Sequence, residues 1–378
     1  MRLCIITANI NKIISGEKEL KEIIGQFMDP ASVNEIYVTG YDWPEKDAKH
    51  IKAYPLFSRD TFKVKSSCFV LKRIDELKWM PVSLAVLAIK FMREEIVNSI
   101  ANIDPDVIIT SGFRWQKELD DFIMNVYGGN ADIAGRNKSG AMYQIKRSYD
   151  PSIKISIVLP TYNGSKYIRT SIESCLNQTH KNIELIIVDD ASIDTTPEII
   201  SSYTDKRIRY VRNKENMKLP RTLNVGFAHA NGEFLTWTSD DNYYEPDAIK
   251  TMLSVLCTYS QFEFVYAGQY AIDENDSILR HDHVRPIRSL KVSNPVGGCF
   301  LYTRKVAETI GKYNPDAFLA EDLDYWIRVS RHFHMVSLRR PLYYYRYHKD
   351  SLTSKYALGE VSKVAGSIRK NHNLFTVK

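Results

Sequence analysis

Residues 183–190 read Ile-Glu-Leu-Ile-Ile-Val-Asp-Asp, and residues 234–241 read Phe-Leu-Thr-Trp-Thr-Ser-Asp-Asp. Both are short, largely apolar runs that stop at two adjacent aspartates. A run of this kind, bounded by turn formers, is how a strand covered on both faces reads. Working outward, residues 154–159 form a third such run, stopped by Pro160 and followed by the loop Tyr162-Asn163-Gly164. Helical periodicity covers residues 165–178. It returns after Thr196-Pro197, where Thr196 is expected to cap the helix and Pro197 to take its first position. Residues 207–211 read as a strand and residues 221–230 as a helix. Strand, loop and helix repeated in this way predict an α/β fold with a mostly parallel mixed sheet and flanking helices. In such sheets ligands bind beyond the carboxyl ends of the strands, and both Asp-Asp pairs lie at such ends.

Upstream, residues 1–150 alternate strand-like and helix-like patterns and predict a smaller Rossmann-like α/β domain. Its strands are expected at residues 3–7, 35–38 and 106–110, and its helices at 19–27, 74–100 and 115–127. Glycines at 128–129 and from 135 to 140 mark a turn-rich stretch. A polar link at 146–152, containing Asp150-Pro151, sets the expected boundary. Residues 151–378 then form the larger domain and end in a helical tail.

Of the 378 residues 44% are hydrophobic and 25% charged, which excludes a globally disordered chain. The net charge of +6 suits an anionic substrate or a membrane surface. No dense basic run with interleaved aromatics is present, so nucleic acid is not an expected partner. The five cysteines (Cys4, Cys68, Cys175, Cys257, Cys299) form no CxxC pair, which argues against a zinc ribbon or disulfide framework and for a reducing compartment. The N-terminus runs directly into an apolar strand without the features of a signal peptide. The longest apolar stretch, residues 79–89, is shorter than the roughly 20 residues a bilayer span requires. The expected location is the cytoplasm, with peripheral contact at the inner face of the membrane left open. Neither a GxGxxG nor a P-loop pattern occurs, which argues against a dinucleotide-dependent oxidoreductase.

The two Asp-Asp pairs carry the chemistry of the reading. Successive side chains of an extended segment point opposite ways, so one carboxylate of each pair can face a ligand while the other braces the loop. A hard cation such as Mg²⁺ or Mn²⁺ takes one or two protein carboxylates and leaves its other positions to diphosphate oxygens and water. Solvated turn aspartates are the alternative, since aspartate favours turns.

The order Ser156-Ile-Val-Leu-Pro-Thr-Tyr-Asn-Gly164, Ser174-Cys-Leu-Asn-Gln-Thr179, Ile183 to Ser192, Asn224-Val-Gly226 and Gly232 to Asp241 resembles family 2 glycosyltransferases. Residues 238–247 resemble the metal loop of a spore-coat polysaccharide transferase of that family. The resemblance covers about residues 153–350 and implies a GT-A fold. It implies that Pro160 and Tyr162 line the nucleoside, that Asp190 meets the base edge with Asp189 supporting its loop, and that Arg221 lies near the donor. It further implies that Asp241 binds the metal most directly, that Asp240 reaches the ribose or the metal shell, and that Asp322 in Glu321-Asp322-Leu-Asp324 is the general base. Glu321-Asp322 would equally suit a plain helix N-terminus, where carboxylates are favoured, and Arg221 a plain exposed helix cation. Gly297 and Gly298 permit close backbone approach to donor sugar or acceptor. His348, in the late basic loop, could complete the metal shell or touch diphosphate. His281-Asp282-His283 lacks a third spaced ligand and is a weak zinc pattern; His332 and His334 share that weakness.

Residues 102–112 show a short likeness to the amino-terminal half of GT-B glycosyltransferases, which implies an accessory domain for acceptor recognition or assembly. The function expected is inverting, metal-dependent transfer of a sugar from a nucleoside-diphosphate donor, UDP first among them, to a hydroxyl of a glycan, glycolipid or glycoprotein acceptor. The alternatives are a nucleotide-sugar or glycan binding protein without turnover, and a nucleotidyltransferase. The latter usually shows a glycine-rich phosphate loop, whereas residues 160–166 have only Gly164.

Overall fold

The computed structural model describes residues 2–7, 35–40, 51–53, 101, 107–111, 116–127, 130–137, 140–282, 284–285, 287–356 and 358–373. The chain divides into two compact units: Met1–Ser148 with Cys257–Gln261, and Tyr149–Leu256 with Phe262–Lys378.

In the first unit β1 (Arg2–Thr7), β2 (Glu35–Gly40), β3 (Ile51–Ala53) and β4 (Val107–Ser111) run parallel. After α1 (Gln116–Tyr127) come β5 (Ala131–Asn137) and β6 (Gly140–Ile145), an antiparallel pair that joins β4. The sheet order is β3-β2-β1-β4-β6-β5. Three strands therefore fall where the apolar runs predict them. The stretch from 128 to 140, expected to be turn-rich, instead carries β5 and the start of β6, which form a hairpin. Gly135 sits at an irregularity between Ile133 and Gly135, a place where glycine in a strand is tolerated. The helices expected at 19–27 and 74–100 lie outside the described residues.

The second unit opens with β7 (Ile155–Thr161), α2 (Ile168–Leu176), β8 (Ile183–Asp189), α3 (Thr196–Ser201), β9 (Ile208–Arg212), α4 (Leu219–Ala228) and β10 (Phe234–Trp237). It continues with β11 (Tyr243–Tyr244), α5 (Ala248–Thr258), β12 (Phe264–Ile272), β13 (Ile278–Asp282) and β14 (Phe300–Thr303). The last elements are α6 (Arg304–Ile310), α7 (Glu321–His332), β15 (Met335–Arg346), α8 (Leu352–Lys355) and α9 (Leu358–Asn371). Strands β10, β7, β8 and β9 pair in parallel, as the strand–helix repeat predicts. β14 then enters antiparallel between β10 and β12, and the sheet runs β11-β15-β12-β14-β10-β7-β8-β9 with β13 added beside β12.

Every residue of β7 is buried, and β8 is buried except at Glu184. Val158, Ile186 and Val188 pack with Leu223 of α4 and Leu235 of β10 in one core that extends to Phe300, Trp326 and Ile368. Burying side chains of this size contributes roughly 1.5–3 kcal/mol each, which is why the apolar runs dominate the sequence signal.

Two local expectations are corrected. Pro160 does not stop its strand but lies inside it, opposite Val188. The Val158 carbonyl faces β10, where it accepts from Thr238 N–H, and the Thr161 carbonyl faces β8, where it accepts from Asp190 N–H. Alternation turns Pro160 toward β10 beyond the end of that strand, so its missing N–H costs no ladder bond. Thr196 is not the cap of α3 but its first residue. The Asp194 carboxylate accepts the Thr196 N–H at 3.0 Å and serves the helix start from further upstream. Among the described residues no helix is long and apolar enough to cross a membrane.

Candidate functional site

The carboxyl ends of β7, β8 and β10 are sewn together by their own side chains. Asn163 N–H donates to Ser192 Oγ at 2.9 Å, and Ile193 N–H returns the contact to Asn163 Oδ1 at 2.9 Å. The two aspartates after β8 face opposite ways, as alternation requires. Asp189 is fully buried; it accepts from Ser192 N–H at 2.8 Å and Tyr210 O–H at 2.9 Å, with Arg212 at 3.5 Å. Asp190 accepts from Asn213 Nδ2 at 2.7 Å, Met217 N–H at 2.9 Å and Lys218 N–H at 3.0 Å. A carboxylate has about four acceptor positions, so the loop 213–218 leaves Asp190 one. Tyr162, 46% exposed, projects from the neighbouring loop, and Pro160 lies below it in β7. Arg221 is exposed on the first turn of α4.

Lys218 is a feature that sequence reading missed. It has φ 70° and ψ 158°, a backbone region left essentially to glycine. Asp190 holds its N–H, and its carbonyl accepts from Thr222 N–H at 3.1 Å and Oγ1 at 3.0 Å. No sequence signal marks the position, because a lysine carries no turn preference.

After β10 the aspartates again diverge. Asp240 accepts from Thr161 Oγ1. The close approach of this loop depends on Gly164: a Cβ there would lie 2.6 Å from Thr161 Oγ1 and 2.8 Å from Asp240 Cγ. Burial, then the neighbouring Asp241 charge, pushes the Asp240 pKa up to about 7. Asp241 meets His348 Nε2 at 3.0 Å through Oδ2, while its Oδ1 is buried with no partner. His348 packs edge-on against the Tyr167 ring at 5.0 Å, and its Nδ1 is likewise unpaired. The Arg346 guanidinium lies over Tyr167 and donates to the Asp241 carbonyl at 3.0 Å, fixing the loop from the end of β15. Of the three residues expected to hold metal, Asp241 and His348 come together and Asp240 turns to Thr161. Among the described residues no group of three His, Cys, Asp or Glu is gathered for a metal ion.

Glu321 and Asp322 open α7. Asp322 is half-buried and accepts from Asn294 Nδ2 at 2.6 Å and Leu323 N–H at 2.6 Å. Burial raises its pKa against these two donors. Glu321 is 4% exposed with Oε2 unpaired, and burial followed by the Asp322 charge pushes its pKa up to about 8. Asn294 begins the loop to Gly297 and Gly298. Gly297 has φ 67°, and a Cβ on Gly298 would lie 2.7 Å from the Tyr343 ring. Tyr343 in turn shares a 2.7 Å hydrogen bond with Thr238 at the end of β10. The glycine loop thus touches the acidic start of α7 through Asn294 and is linked to the segment after β10 through Tyr343. The His281-Asp282 pattern falls on β13.

Residues 156–311 match the sequence profile of glycosyl transferase family 2. An uncharacterized glycosyltransferase of Rickettsia felis is 36% identical over 190 residues, 47% of this chain and 31% of that protein. EpsH of Bacillus subtilis, named as a glycosyltransferase, is 32% identical over 220 residues, 53% of this chain and 63% of that protein. Among solved structures, Staphylococcus aureus TarS in complex with UDP-GlcNAc aligns with a TM-score of 0.47 and 19% identity over 58% of this chain and 67% of that one. The chain spans under a third of the length of the Rickettsia felis protein it matches.

Proposed function

We propose that this chain, whose residues 156–311 match the profile of glycosyl transferase family 2, uses the mixed α/β sheet of its second unit as a GT-A domain and moves a sugar from a nucleoside-diphosphate donor to an acceptor hydroxyl with inversion. The observation that carries the reading is the buried, unpaired Oδ1 of Asp241 beside His348. A carboxylate oxygen removed from water without a partner costs free energy, and a ligand arriving at the end of β10 would supply that partner. The carboxylate oxygen suits Mn²⁺ or Mg²⁺, and the imidazole favours Mn²⁺ of the two, with the donor diphosphate completing the set. Bound there, the ion would neutralise charge on the departing diphosphate.

The protein's own residues do the rest. Tyr162 offers an exposed ring to the nucleobase, and the remaining acceptor position of Asp190 takes an N–H from the base edge. A UDP-sugar is the donor proposed, from the resemblance of these loops to uridine-binding members. Asp322 takes the proton of the attacking hydroxyl; its raised pKa brings it nearer neutrality, where a base works best. The acceptor proposed is a glycan or glycolipid, reached by a chain that works in the cytoplasm or at the inner membrane face. The first unit is proposed as an accessory domain.

The test is a panel of UDP-, dTDP- and GDP-sugars with Mn²⁺, scoring slow release of nucleoside diphosphate. One donor is expected to be hydrolysed, and faster with the ion. No release from any of them refutes the reading.

A further inference from the structure

We infer that Asn294 is the positioning residue of the Asp322 carboxylate, and that it ties the orientation of that base to the glycine loop and, through it, to the end of β10. The inference rests on the proposed function and adds a residue to it. Three observations carry it. Asn294 Nδ2 donates to Asp322 Oδ2 at 2.6 Å, short for an amide donor and in the range of charge-assisted bonds. The amide is itself oriented, because Asn294 Oδ1 accepts from Val296 N–H at 3.3 Å within the same loop. The loop then cannot move freely. Gly298 N–H donates to Gln269 Oε1 at 3.2 Å, and the ring of Tyr343, which reaches Thr238 after β10, packs on Gly298.

The second Asp322 oxygen is taken by Leu323 N–H at 2.6 Å, a bond that the start of α7 makes locally. Asn294 is therefore the side chain that decides how the free edge of the carboxylate is turned. Among the described residues, the other titratable groups facing Asp322 are Glu321 on the same helix and the Tyr313 hydroxyl from the segment before it. Neither is a cation. Asp324, two residues on, is engaged by Arg328 at 2.9 Å and His372 at 2.9 Å. With no positive side chain in this set, the Asn294 N–H is the side-chain group that favours the charged base. Its loss raises the proton affinity of Asp322 and loosens its aim together.

The test uses the whole chain with Mn²⁺ and the donor found active in the panel. Rates are measured against pH for wild type, Asn294→Ala and Asn294→Asp, and nucleoside-diphosphate binding is measured by calorimetry. In Asn294→Ala the rate is expected to fall about tenfold at neutral pH, and the acid limb of the profile to move up by roughly half to one pH unit. Asn294→Asp, which sets a second carboxylate against Asp322, moves the limb further in the same direction. Binding of the nucleoside diphosphate to Asn294→Ala stays within about twofold of wild type. Superimposable acid limbs in the three proteins overturn the inference, as does binding that falls in parallel with rate. A wild-type chain that turns over no donor removes the proposed function and the inference with it, a result distinct from an unshifted limb.

Discussion

Replacing Glu321 by Gln tests the electrostatics of the α7 start without reference to any substrate. Glu321 is 4% exposed, one of its oxygens has no partner, and its pKa is pushed up to about 8 from an ordinary 4.5. Burial is the larger cause and the Asp322 charge the smaller. Unfolding returns the group to water and to its ordinary value. Between pH 4.5 and 8, then, the folded chain holds a proton that the unfolded chain has released. Stability contributed by this proton is fully present below 4.5 and is lost as pH rises through 8, at up to about 1.4 kcal/mol per unit. Over the whole window that is a ceiling of roughly 5 kcal/mol; part of it is shared with Asp322, so about 2–4 kcal/mol is the working figure. Gln is a neutral isostere and carries no such dependence. Thermal midpoints measured from pH 5 to 8.5 should nearly coincide at the acid end. The variant should lead by about 5–10 °C at the alkaline end, taking roughly 2–4 °C per kcal/mol for a domain of this size. Parallel curves for the two proteins would refute the claim that Glu321 is folded in its neutral form.

Substitutions at three further positions probe the other loops. Asp241→Ala should abolish the Mn²⁺-dependent part of nucleoside-diphosphate binding; calorimetric isotherms unchanged with and without the ion would remove Asp241 from a metal role. Gly164→Ala forces Asp240 away from Thr161 and should cost roughly 1–3 kcal/mol in urea unfolding, with weakened donor binding as a consequence. At Lys218 the usual order of loop substitutions should invert. Because φ is 70°, Lys218→Gly should be more stable than Lys218→Ala by about 1–2 kcal/mol, and an equal or reversed order in urea unfolding would contradict the backbone geometry.

Sequence distance explains much of what was legible. The two Asp-Asp pairs were visible because a buried strand and the turn that ends it are local events, written in consecutive residues from 183 to 190 and from 234 to 241. The hairpin of β5 and β6 is hidden because glycines 135 and 140 read locally as turn formers, whereas the register Ala131↔Ile145 is a property of two strands together. Pro160 is ambiguous for the same reason: whether a proline ends a strand depends on where the neighbouring strand stops.

The candidate site divides along this line as well. Asp241 was found from its own neighbours, but His348, 107 residues away, was reached only through family likeness. Thr161, which holds Asp240 across 79 residues, and Asn294, which holds Asp322 across 28, left no local trace at all. A residue that touches a ligand must have a particular chemistry, and its type betrays it. A residue that aims another needs only one donor at one distance, which threonine, asparagine and many others can supply. The groups that set the direction of a carboxylate are for that reason the last to be read from a chain and the first to appear in its folded form.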